Sequence, residues 1–168
     1  MSCNLVIHGN RDYGRSAWYT VVMKITICGS IAFYDKMLEA RVALEDFGHD
    51  VRLPPHEIKD ENGAMISVQE YYVQRKAATT DTGWIWDRKA EAIAAHFEKV
   101  AWADAVLVTN YDKNDIPGYI GGNTLMEMGV AFFLRKPIYL LTHVPRLSYR
   151  EEIIGMKPIV IEHDFAQI

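Results

Sequence analysis

Cysteine is almost absent from this chain, which contains two in 168 residues. Two cysteines make neither a disulfide framework nor a zinc pattern, so we expect a protein of the reducing cytoplasm. Basic residues are also few, at 18 against 22 acidic ones, and the formal charge is −4. This balance argues against a general binder of nucleic-acid polymers. The sequence has no run of 18 apolar residues and no charged segment followed by an apolar one, so we expect neither a membrane partner nor a secretory signal.

Short apolar segments and helical patterns alternate along most of the chain. The predicted strands lie at 24–28, 50–53, 105–109, 137–141 and 158–161, and the predicted helices at about 37–47, 65–76, 87–102, 123–134 and 149–154. Strands that alternate with helices form a parallel sheet covered on both faces. We therefore predict a single α/β domain over residues 23–168, a three-layer sandwich with a five-stranded, mainly parallel sheet.

The first 22 residues do not follow this alternation. Leu5-Val6-Ile7 could form an edge strand, whereas the regular pattern begins only after Met23. We expect residues 1–22 to be a poorly ordered N-terminal extension.

Candidate binding residues follow the first and third predicted strands, because ligands of parallel sheets bind at the carboxyl ends of the strands. Gly29-Ser30 ends the first strand and could hold a phosphate, although it lacks the GxGxxG pattern of dinucleotide sites. A 13-residue loop, 110–122, follows the third strand and is longer than most connections. Candidate binding residues in and after this loop are Asn110, Asp112, Gly121, Gly122 and Asn123. The alternative is a flexible surface loop in which Asn123 only caps the next helix.

Glu127 interrupts an otherwise apolar helical segment, because every other residue from 125 to 134 is apolar or glycine. A carboxylate in such a helix is costly to bury unless its charge is stabilised. We expect Glu127 to lie near the helix N-terminus, where the dipole favours the ionised form that a nucleophile needs. Gly129 lies two residues later, and a glycine inside a helix predicts that another backbone or a ligand approaches the helix closely there. The alternative is that Glu127 caps the helix or pairs with a buried arginine.

His96 lies on the helix before the third strand and is either a packed residue or a proton donor. The histidines form no metal-ligand spacing with one another or with nearby acids. We therefore expect no metal and no other cofactor. Four aromatic residues between the second and third strands could stack on a base or belong to the core: Tyr71, Tyr72, Trp84 and Trp86.

Four motifs resemble those of the nucleoside 2-deoxyribosyltransferase family, which includes the 2'-deoxynucleoside 5'-monophosphate N-glycosidases. They are Cys-Gly-Ser-Ile at 28–31, Ala-Asp-Ala-Val-Leu-Val at 103–108, Gly-Asn-Thr-Leu-Met-Glu-Met-Gly at 122–129 and Lys-Pro-Ile at 136–138. The resemblance covers about 24–161. It implies a Rossmann/flavodoxin-like sheet and makes Glu127 the nucleophile that attacks C1' of a deoxyribosyl group. Water or a second base would then resolve the covalent glycosyl-enzyme.

The resemblance also implies the other site roles and the partners. Gly29-Ser30 would hold the 5' end of a small-molecule nucleoside or nucleotide, and Asn123 with the Gly121-Gly122 turn would position the sugar. The family has an acid or a serine where this chain has Gly121, and an aspartate about where His96 falls. His96 or an aspartate of the loop would then protonate the leaving base. Family members are dimers or larger, so we expect a homo-oligomer. The alternative function is a non-catalytic nucleotide-binding or sensing module on the same fold.

Overall fold

A five-stranded parallel sheet organises the computed structural model, which describes residues 21–168. Its elements follow the chain as β1 (Lys24–Gly29), α1 (Tyr34–Asp46), β2 (Asp50–Arg52), β3 (Glu57–Lys59), β4 (Met65–Ser67), α2 (Val68–Ala77), α3 (Trp84–Trp102), β5 (Ala105–Thr109), α4 (Gly122–Phe133), β6 (Ile138–Leu140), α5 (Arg150–Gly155) and β7 (Ile159–Val160). The sheet order is β2-β1-β5-β6-β7, and all neighbours are parallel. The predicted sheet is confirmed, and its order is that of flavodoxin-like folds.

Helices cover both faces of the sheet because side chains along each strand alternate between its two sides. Ile27 of β1 packs with Met37 of α1 on one face. Cys28, the next residue, packs with Val100 of α3 and Met128 of α4 on the other face. The predicted three-layer arrangement is therefore confirmed for the described residues.

A two-stranded antiparallel hairpin, β3–β4, lies between β2 and α2 and was not predicted. Each of its strands has three residues, and only Ile58 and Ile66 form an apolar pair across it. Such short strands give no periodicity that a sequence can display. The helix after the hairpin begins at Val68 rather than at residue 65, because the Ser67 side chain accepts a hydrogen bond from the Glu70 backbone N–H and caps its N-terminus.

The Lys136 ammonium group joins α3 to the segment before β6. Its Nζ donates to the backbone carbonyl of Val100 at 3.0 Å and to those of Ala101 and Ala103. Carbonyls in the last turn of a helix have no intrahelical partner, and a cation there also interacts favourably with the helix dipole. The Lys-Pro motif at 136–137 therefore has a structural function in this fold.

Replacing Lys136 with methionine should destabilise the protein without touching the candidate site. Methionine keeps much of the apolar stem but leaves the carbonyls at the end of α3 without their charged donor. We expect the free energy of unfolding to fall by about 1–3 kcal/mol, which lowers the midpoint of thermal denaturation by about 2–12 °C. The exposed Lys157→Met is the control. Equal midpoints for the two variants would contradict this function of Lys136.

The predicted N-terminal extension lies almost wholly outside the described residues, which begin at residue 21. Within residues 21–168, no helix is both long enough and apolar enough to span a bilayer.

Candidate active site

The candidate site lies where the chain reverses direction across the sheet. From β1 the chain passes first to β2 on one side and later to β5 on the other. Ligands of such sheets bind in the crevice outside the carboxyl ends of the strands at this point. A cavity of about 260 Å³ opens there. Seven predicted site residues line it, namely Gly29, Ser30, His96, Gly121, Gly122, Asn123 and Glu127.

Glu127 is buried at the inner wall of this cavity, with 8% of its surface exposed. Its Oε2 atom has no hydrogen-bond partner among the described residues. Burial raises the pKa of this carboxyl to about 8, although the Cys28 thiol and the Lys89 ammonium oppose the shift. At neutral pH the carboxyl group of the free protein is therefore mostly protonated.

The expectation that the helix dipole keeps Glu127 ionised is wrong for the free protein. Helix α4 begins at Gly122 with Gly121 as its N-cap, so Glu127 is the sixth helical residue. The dipole effect falls off within the first turn. Desolvation therefore outweighs it and favours the neutral carboxylic acid.

His96 of α3 faces Glu127 across the inner end of the cavity. The His96 Nε2 atom lies 3.8 Å from Glu127 Oε2, and the histidine is only 4% exposed. Neither ring nitrogen has a hydrogen-bond partner among residues 21–168. Burial, and then the charge of Lys99, lower the pKa of His96 to about 4. The imidazole is therefore neutral at physiological pH, and the proton of the pair resides on Glu127.

Cys28 completes a buried group of three side chains with His96 and Glu127. One potential ligand atom from each lies within 4.8 Å of the others. Burial raises the pKa of the Cys28 thiol well above its usual value, so it is a neutral neighbour of the carboxyl. Thiolate, imidazole and carboxylate are also zinc ligands, so the group could hold a metal ion. The sequence did not reveal this cluster, because its members come from β1, α3 and α4.

Asn110 and Asp112 stabilise the loop between β5 and α4 and do not line the cavity. The Asn110 amide donates to the carbonyl oxygens of Gly118 and His143, and its Oδ1 accepts from the Thr142 backbone N–H. Asp112 Oδ1 accepts from the Gly118 backbone N–H at 2.8 Å. Their amide and carboxylate groups thus bind backbone, whereas the sequence predicted contacts with substrate.

Gly29 and Gly129 differ in whether the structure requires a glycine at that position. A Cβ atom on Gly29 would lie 2.4 Å from Thr109 Oγ1, so close packing of β1 on β5 already requires a glycine there. A Cβ atom on Gly129 would meet no atom of the described residues within 4 Å. The close approach predicted for Gly129 is therefore not seen among residues 21–168.

Comparison with known proteins gave a structural likeness. No protein-family description and no curated protein matches this chain. The chain is similar to a solved structure described as the 2-deoxyribosyltransferase from the psychrotolerant bacterium Bacillus psychrosaccharolyticus. The two are 19% identical, the match covers 70% of each chain, and the TM-score is 0.44.

Sequence reasoning missed the basic side chains of the cavity. They are Arg75, Lys76, Lys89 and Lys113. Three of them lie on helices that the sequence predicted, but no periodicity identifies which surface lysine faces a cavity. Of the four aromatic residues considered, Tyr71 and Tyr72 line the cavity. Tyr71 also packs against Trp84 at a ring distance of 6.2 Å.

Proposed function

We propose that this chain cleaves or transfers at the N-glycosidic bond of a (2'-deoxy)nucleoside or its 5'-monophosphate, with Glu127 as the nucleophile. The observation that carries the proposal is a buried carboxyl on the cavity wall whose Oε2 atom has no partner in the described part of the chain. A structural carboxyl would have its hydrogen bonds satisfied. An unsatisfied one beside an imidazole is suited to chemistry on a bound molecule.

The proposed first half-reaction uses the single proton that Glu127 and His96 share. The proton moves from the Glu127 carboxyl to His96 Nε2, which leaves a carboxylate next to an imidazolium. The carboxylate attacks C1', the C1'–N bond breaks, and its electron pair leaves with the base. His96 donates its proton to the departing base. The 3.8 Å separation has to shorten for this transfer, and such contacts often tighten only when substrate binds.

The second half-reaction resolves the covalent glycosyl-enzyme. Either water or a second base attacks C1', His96 accepts the proton that this nucleophile loses, and Glu127 leaves as a carboxylate. Water gives a hydrolase and a base gives a transferase. A retaining, two-step route replaces one difficult displacement by two easier ones.

Cavity-lining residues at the end of β1 and at the start of α4 would position the substrate. Asn123 and the Gly121-Gly122 turn lie at the start of α4 and would contact the sugar. Ser30 lies at the end of β1 and would contact the 5' group. The start of α4 also offers backbone N–H groups that no helical carbonyl accepts.

Self-association is part of the proposal. The outer side of α4 exposes large apolar side chains, among them Met126, Phe132 and Phe133. Gly129 lies on the same helix, and a Cβ atom built on it would meet no described atom within 4 Å. An exposed apolar surface of this kind is typical of interfaces. We therefore retain the expectation of a homo-oligomer.

The alternative is a nucleotide-binding or sensing module that performs no chemistry. The high pKa of Glu127 and the low pKa of His96 are compatible with a pair of neutral side chains that contact a ligand without exchanging a proton with it. Such a module would be stabilised by ligand but would release no product.

Base release from a substrate panel tests the proposal. The purified full chain is incubated with ribo- and deoxyribonucleosides and their 5'-monophosphates, with and without an added second base, and free bases are quantified by chromatography. We expect release from at least one substrate, at an unchanged rate after treatment with a chelator. Loss of activity together with bound zinc would make Glu127 a metal ligand. Thermal stabilisation without any product would favour the sensing module.

A further inference from the structure

The candidate cavity is basic although the protein as a whole is acidic. Four cationic side chains line it, namely Arg75, Lys76, Lys89 and Lys113, and Glu127 is its single acidic residue. The formal charge of the chain is −4. A concentration of positive charge in a cleft of an acidic protein attracts anions to that cleft.

These cations have no carboxylate partners in the described part of the chain. The ion pairs found there join Arg41 to Glu45 and Arg88 to Glu91, and neither includes a cation of the cavity. The contact between His96 and Glu127 joins two neutral groups. In addition, Nε of Arg75 is buried without a hydrogen-bond acceptor among residues 21–168. Buried donors of charged groups are normally satisfied. The Arg75 guanidinium therefore has hydrogen-bonding capacity that no group of the described residues uses.

Three of the cations converge on one aromatic ring. The guanidinium of Arg75 and the ammonium group of Lys113 lie 5.3 Å and 5.5 Å from the centroid of the Tyr72 ring. The Lys76 ammonium lies 5.8 Å from the same centroid. The ring face partly compensates for the repulsion between these like charges. A dianion between them would do so far more effectively.

Lys113 is positioned by the loop that Asn110 and Asp112 stabilise. Its backbone exchanges two hydrogen bonds with Ile116, and Asn114 and Asp115 between them both have positive φ angles of 53° and 57°. This is a tight two-residue turn. From it, Lys113 Nζ donates to Ser30 Oγ at 2.8 Å, so a lysine and a hydroxyl meet at the end of β1.

We propose that the cavity recognises its substrate by a phosphate group, bound by Lys113 and Ser30 at the end of β1 and by Arg75 from α2. The preferred substrates are then nucleoside 5'-monophosphates rather than free nucleosides. This inference rests on the proposed function for the sugar and the base. A phosphate monoester supplies up to two negative charges and three acceptor oxygens, which match the ammonium, hydroxyl and guanidinium groups found here.

Binding of non-cleavable probes to the full chain tests this proposal without any turnover. Calorimetry compares deoxyribose with deoxyribose 5-phosphate, and inorganic phosphate serves as the competitor. We expect the phosphorylated sugar to bind with a Kd at least tenfold lower, and inorganic phosphate to displace it. Lys113→Gln should reduce this preference about tenfold or more, whereas Lys113→Arg should retain most of it. The exposed Lys157→Gln is the matched control and should bind like the wild type.

Equal affinity for the two sugars would overturn the proposal. Full retention of the preference in both Lys113→Gln and Arg75→Gln would overturn the assignment of these residues. Thermal denaturation of each variant shows whether it is folded. If Lys113→Gln is not folded, the comparison of Lys113→Arg with wild type still tests the contact. A phosphate preference without base release would sustain this inference and reject the proposed function. Base release from nucleosides and from their monophosphates with equal kcat/KM would sustain the proposed function and reject the phosphate preference.

Discussion

Glu127→Gln is expected to lose base release almost completely, by at least about a thousandfold in kcat. The amide has nearly the volume of the carboxyl but cannot act as a nucleophile toward C1'. It also cannot transfer a proton to His96. The rate is measured by chromatography with the best substrate of the panel. Glu151→Gln, the same change on an exposed side chain of α5, is the matched control and should retain wild-type turnover.

The Glu127→Gln variant should be folded, and its stability should show why the carboxyl is unusual. The folded-state pKa of Glu127 is raised from 4.5 to about 8, so the folded protein binds a proton more tightly there than the unfolded chain. Its contribution to stability is present below about pH 4.5 and is lost as the pH rises through 8. Relative to wild type, the melting temperature of the variant should therefore increase between pH 6.5 and 8. A catalytically active Glu127→Gln protein would exclude Glu127 as the nucleophile.

The second large effect is expected in the pH profile of kcat/KM, whose direction above pH 8 assigns the function of His96. If Glu127 and His96 share one essential proton, kcat/KM, which reports the groups of the free enzyme, is flat from about pH 5 to 8. It then falls about tenfold per unit above the pKa of about 8. In His96→Gln, kcat should be at least about a hundredfold lower. In that variant kcat/KM should rise with pH toward 8, because only ionisation of Glu127 still matters.

Two other titratable groups, Cys28 and Lys89, lie near Glu127 and His96 and have to be considered in explaining the pH profile. Cys28 on β1 contacts Glu127 and stays neutral, because burial raises its pKa. Burial, together with the charge of Arg75, lowers the pKa of Lys89 on α3 to about 8. Its loss of charge could therefore also reduce activity above pH 8. His96→Gln retains Lys89, so a profile that still falls above pH 8 in this variant would assign the effect to Lys89 and not to His96.

Local patterns in the sequence were sufficient to predict the main sheet and the position of Glu127. The β1 and β5 strands are continuous apolar runs, and α4 is apolar on nearly all sides, so their burial follows from composition alone. The hairpin β3–β4 was missed because its strands are too short to show a period. The function predicted for Asn110 was not supported, because a polar residue at the end of a strand can bind backbone as readily as a ligand.

The sequence by itself determined that a carboxyl would be buried in α4 at the carboxyl edge of a parallel sheet. Only the tertiary structure decided its protonation state, because the pKa depends on desolvation and on Cys28 and Lys89, which come from other elements. Only the tertiary structure, likewise, brought Arg75 and Lys113 to one cavity. Burial of an apolar segment is a local property of its composition. The convergence of charges is a long-range property that arises when distant segments pack together.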